Sequence, residues 1–212
     1  DGVDRFNQQA VDLLTGKAVD AIDVTKEDPA VLAKYDTSEM QIGFKKFRPS
    51  MLGHKMLMAR RLCEAGAGFV TVHSAGWDMH ADASNPGIQT GMAMLGTTLD
   101  HAVSVFMDDV ASRGLSEKIL LVITGDFGRT PRVNKKGGRD HWARLGTLAF
   151  VGGGLEMGKI IGQSDRQAGE PITTPYTTKH LMGTVMQTLF DVGEMRLVSG
   201  IPPQLRRLVE QS

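Results

Sequence analysis

The sequence has one cysteine, no excess of either charge and no long apolar run, and each of these absences excludes a class of protein. Cys63 has no second cysteine with which to form an internal disulfide, and the helical pattern around it predicts a small buried apolar residue. Lys plus Arg and Asp plus Glu each number 24, so no general electrostatic field attracts nucleic acid or an anionic membrane. The sequence also lacks the run of about eighteen apolar residues that a membrane span needs. We therefore expect neither nucleic acid nor a membrane among its partners.

The order of apolar patterns predicts an α/β fold. Helical spacing recurs over residues 49–65, 90–113 and 176–192, and a shorter helix is expected over residues 4–14. Short apolar runs predict strands at residues 68–73, 119–124 and 145–151. A strand, a helix and a second strand in this order usually form a right-handed parallel crossover. We therefore expect one domain over residues 1–212, whose mostly parallel sheet carries helices on both faces.

Carboxylate and imidazole side chains follow two of the predicted strands. Asp78 and His80 come after the first strand, Asp126 comes after the second, and Asp140 and His141 lie farther along the same glycine-rich loop. Because ligands bind at the carboxyl edge of a parallel sheet, we expect these side chains to converge there. The mixed ligand set suits zinc, manganese or iron better than calcium. A bound ion could activate water or polarise an ester oxygen.

Basic side chains in the same loop predict an anion-binding site. Arg129 and Arg139 could hold a tetrahedral anion by charge-assisted hydrogen bonds, and Lys135 and Lys136 lie nearby. Two simpler interpretations stay open. The aspartates and histidines could cap turns in a glycine-rich loop, and the lysine pair is interpreted as solvated surface. Residue types alone do not decide between a ligand site and ordinary loop contacts.

Four motifs in combination carry a family resemblance. They are ARRLCEAG at residues 59–66, WDMH at 77–80, FGRTP at 127–131 and GGRDHW at 137–142, and the upstream segment AIDVTKEDPAVLAKYD also fits. On these residues the chain resembles a bacterial sulfatase-like family known as domain of unknown function fifteen-oh-one. That family is similar to the alkaline phosphatase and sulfatase superfamily. The resemblance implies an alkaline-phosphatase-like fold and a metal-dependent hydrolase, whose substrate is a small-molecule or sugar phosphate or sulfate ester.

The same resemblance assigns metal ligands. Asp78, His80 and His141 match the ligands of one ion, and Asp126 matches the first ligand of a second ion. The resemblance therefore implies one or two divalent ions, zinc or manganese. Phe127 departs from the wider superfamily, which usually has a histidine at that position. This departure argues against a complete second site.

The resemblance also implies an upstream first strand that ends in a metal-binding aspartate followed by a nucleophilic serine, threonine or modified cysteine. No such strand precedes the Lys45 region, and the chain begins with Asp1 and without a signal-peptide pattern. We therefore expect the C-terminal portion of a longer chain, or a shortened relative, that lacks this strand. A missing strand would expose a sheet edge and favour a homo-oligomer. The resemblance further implies export to the periplasm or the cell surface.

Three functions stay open at this point. The first is a metal-dependent hydrolase of phosphate or sulfate esters. The second is a non-catalytic module that binds a metal ion or an anion, and the third is a structural fragment whose Asp and His residues cap loops. Because no nucleophile stands beside the proposed ligands in the expected place, covalent catalysis by this chain alone is not expected.

Overall fold

The computed structural model describes residues 16–40 and 50–210, and the predicted helix at residues 4–14 lies outside them. The chain divides into two compact units. Unit 1 comprises Asp1–Leu115 and Val133–Asp140, and unit 2 comprises Ser116–Arg132 and His141–Ser212. The single domain expected over residues 1–212 stays a prediction.

Unit 1 is helical in the part of the chain that the structure describes. Its helices are α1 (Lys17–Ile22), α2 (Pro29–Lys34), α3 (Leu52–Glu64), α4 (Ile88–Gly91) and α5 (Thr97–Ser112), with a 3-10 helix at Val24–Lys26 and a π-helical segment at Met92–Gly96. Asp28 caps α2, since its carboxylate accepts a hydrogen bond from Ala30 N at 2.7 Å. The α4, π-helical and α5 segments follow one another without a break. They confirm the predicted helix at residues 90–113.

Helices α3 and α5 supply most of the apolar core of unit 1. The buried apolar side chains on these two helices are Leu52, Met56, Leu57, Ala59, Ala102, Phe106 and Val110. Most of them recur at steps of three or four, as the 3.6-residue helical repeat requires. Burying a side chain as large as Phe106 stabilises a fold by roughly 1.5–3 kcal/mol. The predicted helix at residues 49–65 is confirmed apart from its first turn, although Cys63 is only partly buried.

A buried ion cluster connects three parts of unit 1. The Arg60 side chain, in the middle of α3, is 1% exposed, and its guanidinium contacts Glu27, Glu64 and Asp109. Arg60 Nη2 lies 2.5 Å from Glu27 Oε2, and Arg60 Nε lies 3.0 Å from Asp109 Oδ2. The Tyr35 hydroxyl donates to the same Asp109 oxygen at 2.9 Å. Because a buried charge loses its hydration, these partners are what makes the position of Arg60 tolerable.

The predicted mostly parallel sheet with helices on both faces is wrong. The strands of the described residues are β1 (Leu120–Thr124), β2 (Gly128–Arg129), β3 (His141–Trp142) and β4 (Leu148–Gly152), and all four belong to unit 2. Strand β1 pairs antiparallel with β4, and β2 pairs antiparallel with β3. Residues 16–40 and 50–210 therefore contain two small sheets and no parallel pair. The alkaline-phosphatase-like sheet implied by the resemblance is not found in them.

The connection between β1 and β4 explains the antiparallel pairing. It contains the short β2–β3 pair and turns, but no helix. A parallel pair needs a crossover, usually a helix, whereas an antiparallel pair can close without one. Strands β1 and β4 confirm the strands predicted at residues 119–124 and 145–151. Residues 68–73 form no strand, because an extended run becomes one only where another backbone offers hydrogen bonds.

Unit 2 ends in three helices, α6 (Thr178–Leu189), α7 (Val192–Leu197) and α8 (Pro203–Glu210). Helix α6 begins at a capping box, in which Thr177 N donates to His180 Nδ1 at 2.9 Å. It packs against α8 and confirms the helix predicted at residues 176–192. Across residues 16–40 and 50–210, no helix combines the length and the apolar character needed to cross a bilayer.

The ion cluster predicts a loss of stability in acid. Burial raises the pKa of Glu27, but hydrogen bonds from Arg60 and Arg61 outweigh burial and hold the pKa at about 2, below the ordinary 4.5. Because the folded-state pKa lies below the unfolded-state value, this stabilisation is fully present above pH 4.5 and is lost as the pH falls towards 2. Glu27→Gln should lower the free energy of unfolding by roughly 3 kcal/mol near neutral pH, since it unpairs one side of Arg60.

Urea unfolding of both proteins, near neutral pH and at about pH 3, measures the effect. Glu39→Gln is the matched control, because it neutralises an exposed carboxylate of unit 1 and should change stability by less than about 0.5 kcal/mol. The prediction is wrong if Glu27→Gln loses as much stability between the two pH values as the wild type.

Candidate functional site

Asp78 and His80 flank a side chain that belongs to the core of unit 1. Met79 is 3% exposed and packs against Gly91 of α4, where a Cβ atom would lie 2.7 Å from the Met79 sulfur. Of the neighbouring side chains, Asp78 is 53% exposed and faces solvent, whereas His80 is 21% exposed and is only partly accessible. The buried methionine therefore anchors a loop that presents a carboxylate and an imidazole at the surface.

Residues 134–140 hold the same loop through its backbone. Arg139 N donates to Met79 O at 2.9 Å, and Asn134 Nδ2 donates to His80 O at 3.0 Å. Gly138 approaches so closely that a Cβ atom there would overlap the His80 carbonyl group and lie 2.7 Å from Ala81 N. Only glycine permits this approach, because any side chain would push the two segments apart.

Asn134 closes the turn that carries these contacts. Its Oδ1 accepts hydrogen bonds from Lys136 N and Gly138 N, each at 3.0 Å, and its backbone N donates to Gly138 O at 2.7 Å. Gly137 has a φ of +86°, which glycine adopts without strain. Sequence reasoning missed this asparagine. The available signal is an asparagine shortly before two glycines, a pattern typical of turns.

Both ring nitrogens of His80 face carboxylates. Nδ1 forms a hydrogen bond of 3.2 Å with Asp140 Oδ1, and Nε2 lies 3.7 Å from Asp78 Oδ1. An ionised carboxylate can only accept, so Nδ1 is the donor and Nε2 of the neutral ring carries a lone pair. That lone pair and the Asp78 oxygen repel each other unless a cation, either a proton or a metal ion, lies between them. Metal-ligating histidines commonly have the carboxylate contact that Asp140 makes.

A cleft of about 570 Å³ opens beside His80. The residues that line it are all polar or charged: His80, Asp82, Asn134, Lys135, Lys136 and Asp140. Its volume falls within the roughly 300–1,000 Å³ of small-molecule sites. Because the lining offers hydrogen bonds and charges, the cleft suits a hydrophilic ligand better than an apolar one.

His141 and Arg129 lie opposite each other on the β2–β3 pair of unit 2. The Phe127 and His141 rings are in contact, with centroids 4.4 Å apart, and Arg129 Cζ lies 5.7 Å from the Phe127 centroid. Phe127 therefore supports the His141 ring rather than offering a ligand of its own. Asp126 is exposed, and its Oδ1 accepts a hydrogen bond from Phe127 N at 3.1 Å. Among the described residues, Asp126 belongs to no cluster of three or more metal-ligating side chains.

The predicted site residues are divided between the units. Unit 1 contains Asp78, His80, Arg139 and Asp140, and unit 2 contains Asp126, Arg129 and His141. Asp78 and His80 present ligand atoms within 4.8 Å of each other. Arg139 Nε is buried and has no hydrogen-bond partner among the described residues, a partner that a bound anion could provide. The metal-binding and anion-binding roles of all seven residues stay predictions.

The contact between Gly138 and His80 predicts a specific loss of stability. Gly138→Ala should lower the free energy of unfolding by about 1–3 kcal/mol, because the added methyl group must displace the His80 backbone. The displacement should also break the hydrogen bond from Asn134 Nδ2 to His80 O. Urea unfolding measures the first effect, and the His80 ring signals in an NMR spectrum report the second.

Gly68→Ala is the matched control. A Cβ atom at Gly68 would meet nothing within 4 Å, so this change should alter stability by no more than about 0.5 kcal/mol. Equal stability of the two alanine variants would contradict the close approach of Gly138 to His80.

Comparison with known proteins adds one finding. No curated protein and no solved structure matches the chain. The model of a family described as Protein of unknown function (DUF1501) matches residues 1–208. This range includes all four motifs of the resemblance and nearly the whole sequence. The chain therefore belongs to the family described as Protein of unknown function (DUF1501).

Proposed function

We propose that the chain is a metal-dependent, hydrolase-like protein that acts on phosphate or sulfate esters. In this proposal Asp78, His80 and His141 hold one divalent ion, zinc or manganese. The observation that carries the proposal is the environment of His80, whose Nδ1 contacts Asp140 while Nε2 faces Asp78. Carboxylate oxygen together with imidazole nitrogen is a donor set that both metals accept.

His141 enters the proposal through the family resemblance and through its place in the chain. It directly follows Asp140, so the two Cα atoms are about 3.8 Å apart, and Asp140 contacts His80. In unit 2 the His141 ring packs on Phe127, which limits its freedom before any ligand binds. A side chain that is already ordered loses less entropy when it becomes a ligand.

The other residues have supporting roles in this proposal. When bound, the ion would polarise an ester oxygen and lower the pKa of a water molecule. Arg129 and Arg139 would bind the tetrahedral anion by charge-assisted hydrogen bonds. Asp140 would keep the His80 lone pair on Nε2 and orient the ring. Placement in the alkaline phosphatase and sulfatase superfamily rests on motifs such as WDMH and GGRDHW.

A non-catalytic module that binds a metal ion or an anion is the second candidate. Phe127 favours this second candidate, because the wider superfamily usually has a metal-binding histidine at the same position. The Phe127 ring instead packs on His141. The contact of Asp126 with the Phe127 backbone gives that carboxylate a local structural role as well. The two candidates differ in turnover and not in metal binding.

Metal affinity tests the shared part of both candidates. The wild-type protein should bind about one equivalent of Zn²⁺ or Mn²⁺ in calorimetric titration. Asp78→Ala and His141→Ala should remove this binding, because each deletes a proposed ligand. Asp140→Asn should weaken it by about 10–100-fold, the usual effect of losing a carboxylate that orients a ligating histidine.

Two matched controls and one activity assay complete the test. Asp108→Ala and His73→Ala remove an exposed carboxylate and an exposed imidazole of unit 1, and both should bind the metal as the wild type does. The metal site is excluded if the wild type binds no metal or if Asp78→Ala binds it equally well. Hydrolysis of aryl phosphate or aryl sulfate esters, abolished by Asp78→Ala, supports the hydrolase, whereas metal binding without turnover supports the module.

A further inference from the structure

Two lysines line the cleft beside His80. Lys135 and Lys136 are exposed, and within residues 16–40 and 50–210 no carboxylate forms an ion pair with either ammonium group. Their backbone is ordered by the turn of Asn134, whose Oδ1 accepts a hydrogen bond from Lys136 N at 3.0 Å. The two positive charges therefore project from a fixed turn at the edge of the candidate metal centre.

The acidic residues of the cleft are occupied by other contacts. Asp82 Oδ1 accepts hydrogen bonds from Ser84 N at 2.7 Å and from Asn85 N at 2.8 Å. Asp140 Oδ1 contacts His80 Nδ1 at 3.2 Å. Because these carboxylates stabilise their own loops, neither one neutralises the lysine pair through a direct contact. Asp82 and Asp140 still balance the formal charge of the lysines within the cleft, but a direct anionic contact with either ammonium group is left for a ligand to make.

We propose that Lys135 and Lys136 bind a second anionic group of the substrate, so that the preferred substrate is an ester with at least two negative groups. This inference rests on the proposed function, in which one of these groups lies at the metal centre. The cleft of about 570 Å³ is far larger than a single phosphate or sulfate ion needs, and all six residues that line it carry polar or charged groups. A phosphorylated or sulfated sugar has the required size, polarity and charge.

Paired ligands that differ by one anionic group test the inference. In the phosphate arm, fructose bisphosphate is compared with fructose monophosphate. In the sulfate arm, N-sulfated glucosamine sulfate is compared with N-acetylglucosamine sulfate. In calorimetric titration of the metal-loaded protein, the ligand with two anionic groups should bind about tenfold more tightly than its partner with one, in one of the two arms. This ratio is equivalent to about 1.4 kcal/mol. The arm that shows the preference identifies whether the anionic groups of the substrate are phosphates or sulfates.

The lysine variants test the cause of the preference. Lys135→Gln combined with Lys136→Gln should reduce the tenfold ratio of affinities to about one. The ligand with one anionic group should keep its affinity within about twofold. Lys118→Gln combined with Lys179→Gln is the matched control, since it removes the same charge from two exposed lysines of unit 2. Lys135→Arg combined with Lys136→Arg keeps the charge and should keep the preference. Added salt should reduce the ratio, because these charges are exposed.

Other results would overturn the role of the lysines, the proposed ester substrate, or both. Equal affinity of the paired ligands for the wild type overturns the lysine inference, and metal-dependent binding of both would leave the proposed function standing. A preference that survives in the double glutamine variant, or that disappears in the double arginine variant, also overturns the inference. If no ligand of either arm binds to the metal-loaded wild type, the lysine inference and the proposed ester substrate both fail.

Discussion

A turn holds the backbone of His80 so closely that position 138 has no room for a side chain. A Cβ atom on Gly138 would overlap the His80 carbonyl group, so the two segments meet only because this position is glycine. Their approach brings Asn134 Nδ2 to His80 O and places the Asp140 carboxylate at His80 Nδ1. The same turn carries Lys135 on the cleft wall. One turn therefore positions three parts of the candidate site. They are the proposed ligand His80, the Asp140 carboxylate that orients it, and the lysines that line the cleft.

The buried charge of Arg60 constrains how the helices of unit 1 pack against each other. Arg60 and Glu64 belong to the motif ARRLCEAG, and Glu27 belongs to the upstream segment of the resemblance, so two of its segments meet in this cluster. Removing one partner from a buried ion pair costs about 3–5 kcal/mol. A different packing of α3 on α5 would separate Arg60 from Asp109 and incur a cost of this kind. The cluster therefore favours one arrangement of the helices, beyond what apolar packing requires.

Local patterns predict the elements of this chain better than their assembly. The spacing of Phe106 and Val110 predicts α5 because helical periodicity is visible within a few residues. Apolar runs locate β1 and β4 for the same reason. The predicted parallel arrangement is wrong because strand direction depends on which backbone pairs with β1, and no local pattern encodes that choice. The turn at Asn134 has a local signal in the sequence, but the contact of its side chain with His80, 54 residues earlier in the chain, has none.

The sequence by itself determined the principal helices, two of the strands, the family and the types of side chain that could bind a metal ion. These properties depend on residue spacing and on the chemistry of single side chains such as Asp78 and His80. Only the tertiary structure decided that β1 pairs antiparallel with β4, that Asp140 contacts His80 Nδ1, and that Lys136 lines the same cleft. Each of these arrangements brings together residues that are distant in sequence. Such contacts depend on how a whole unit packs, and local conformational preference cannot encode them.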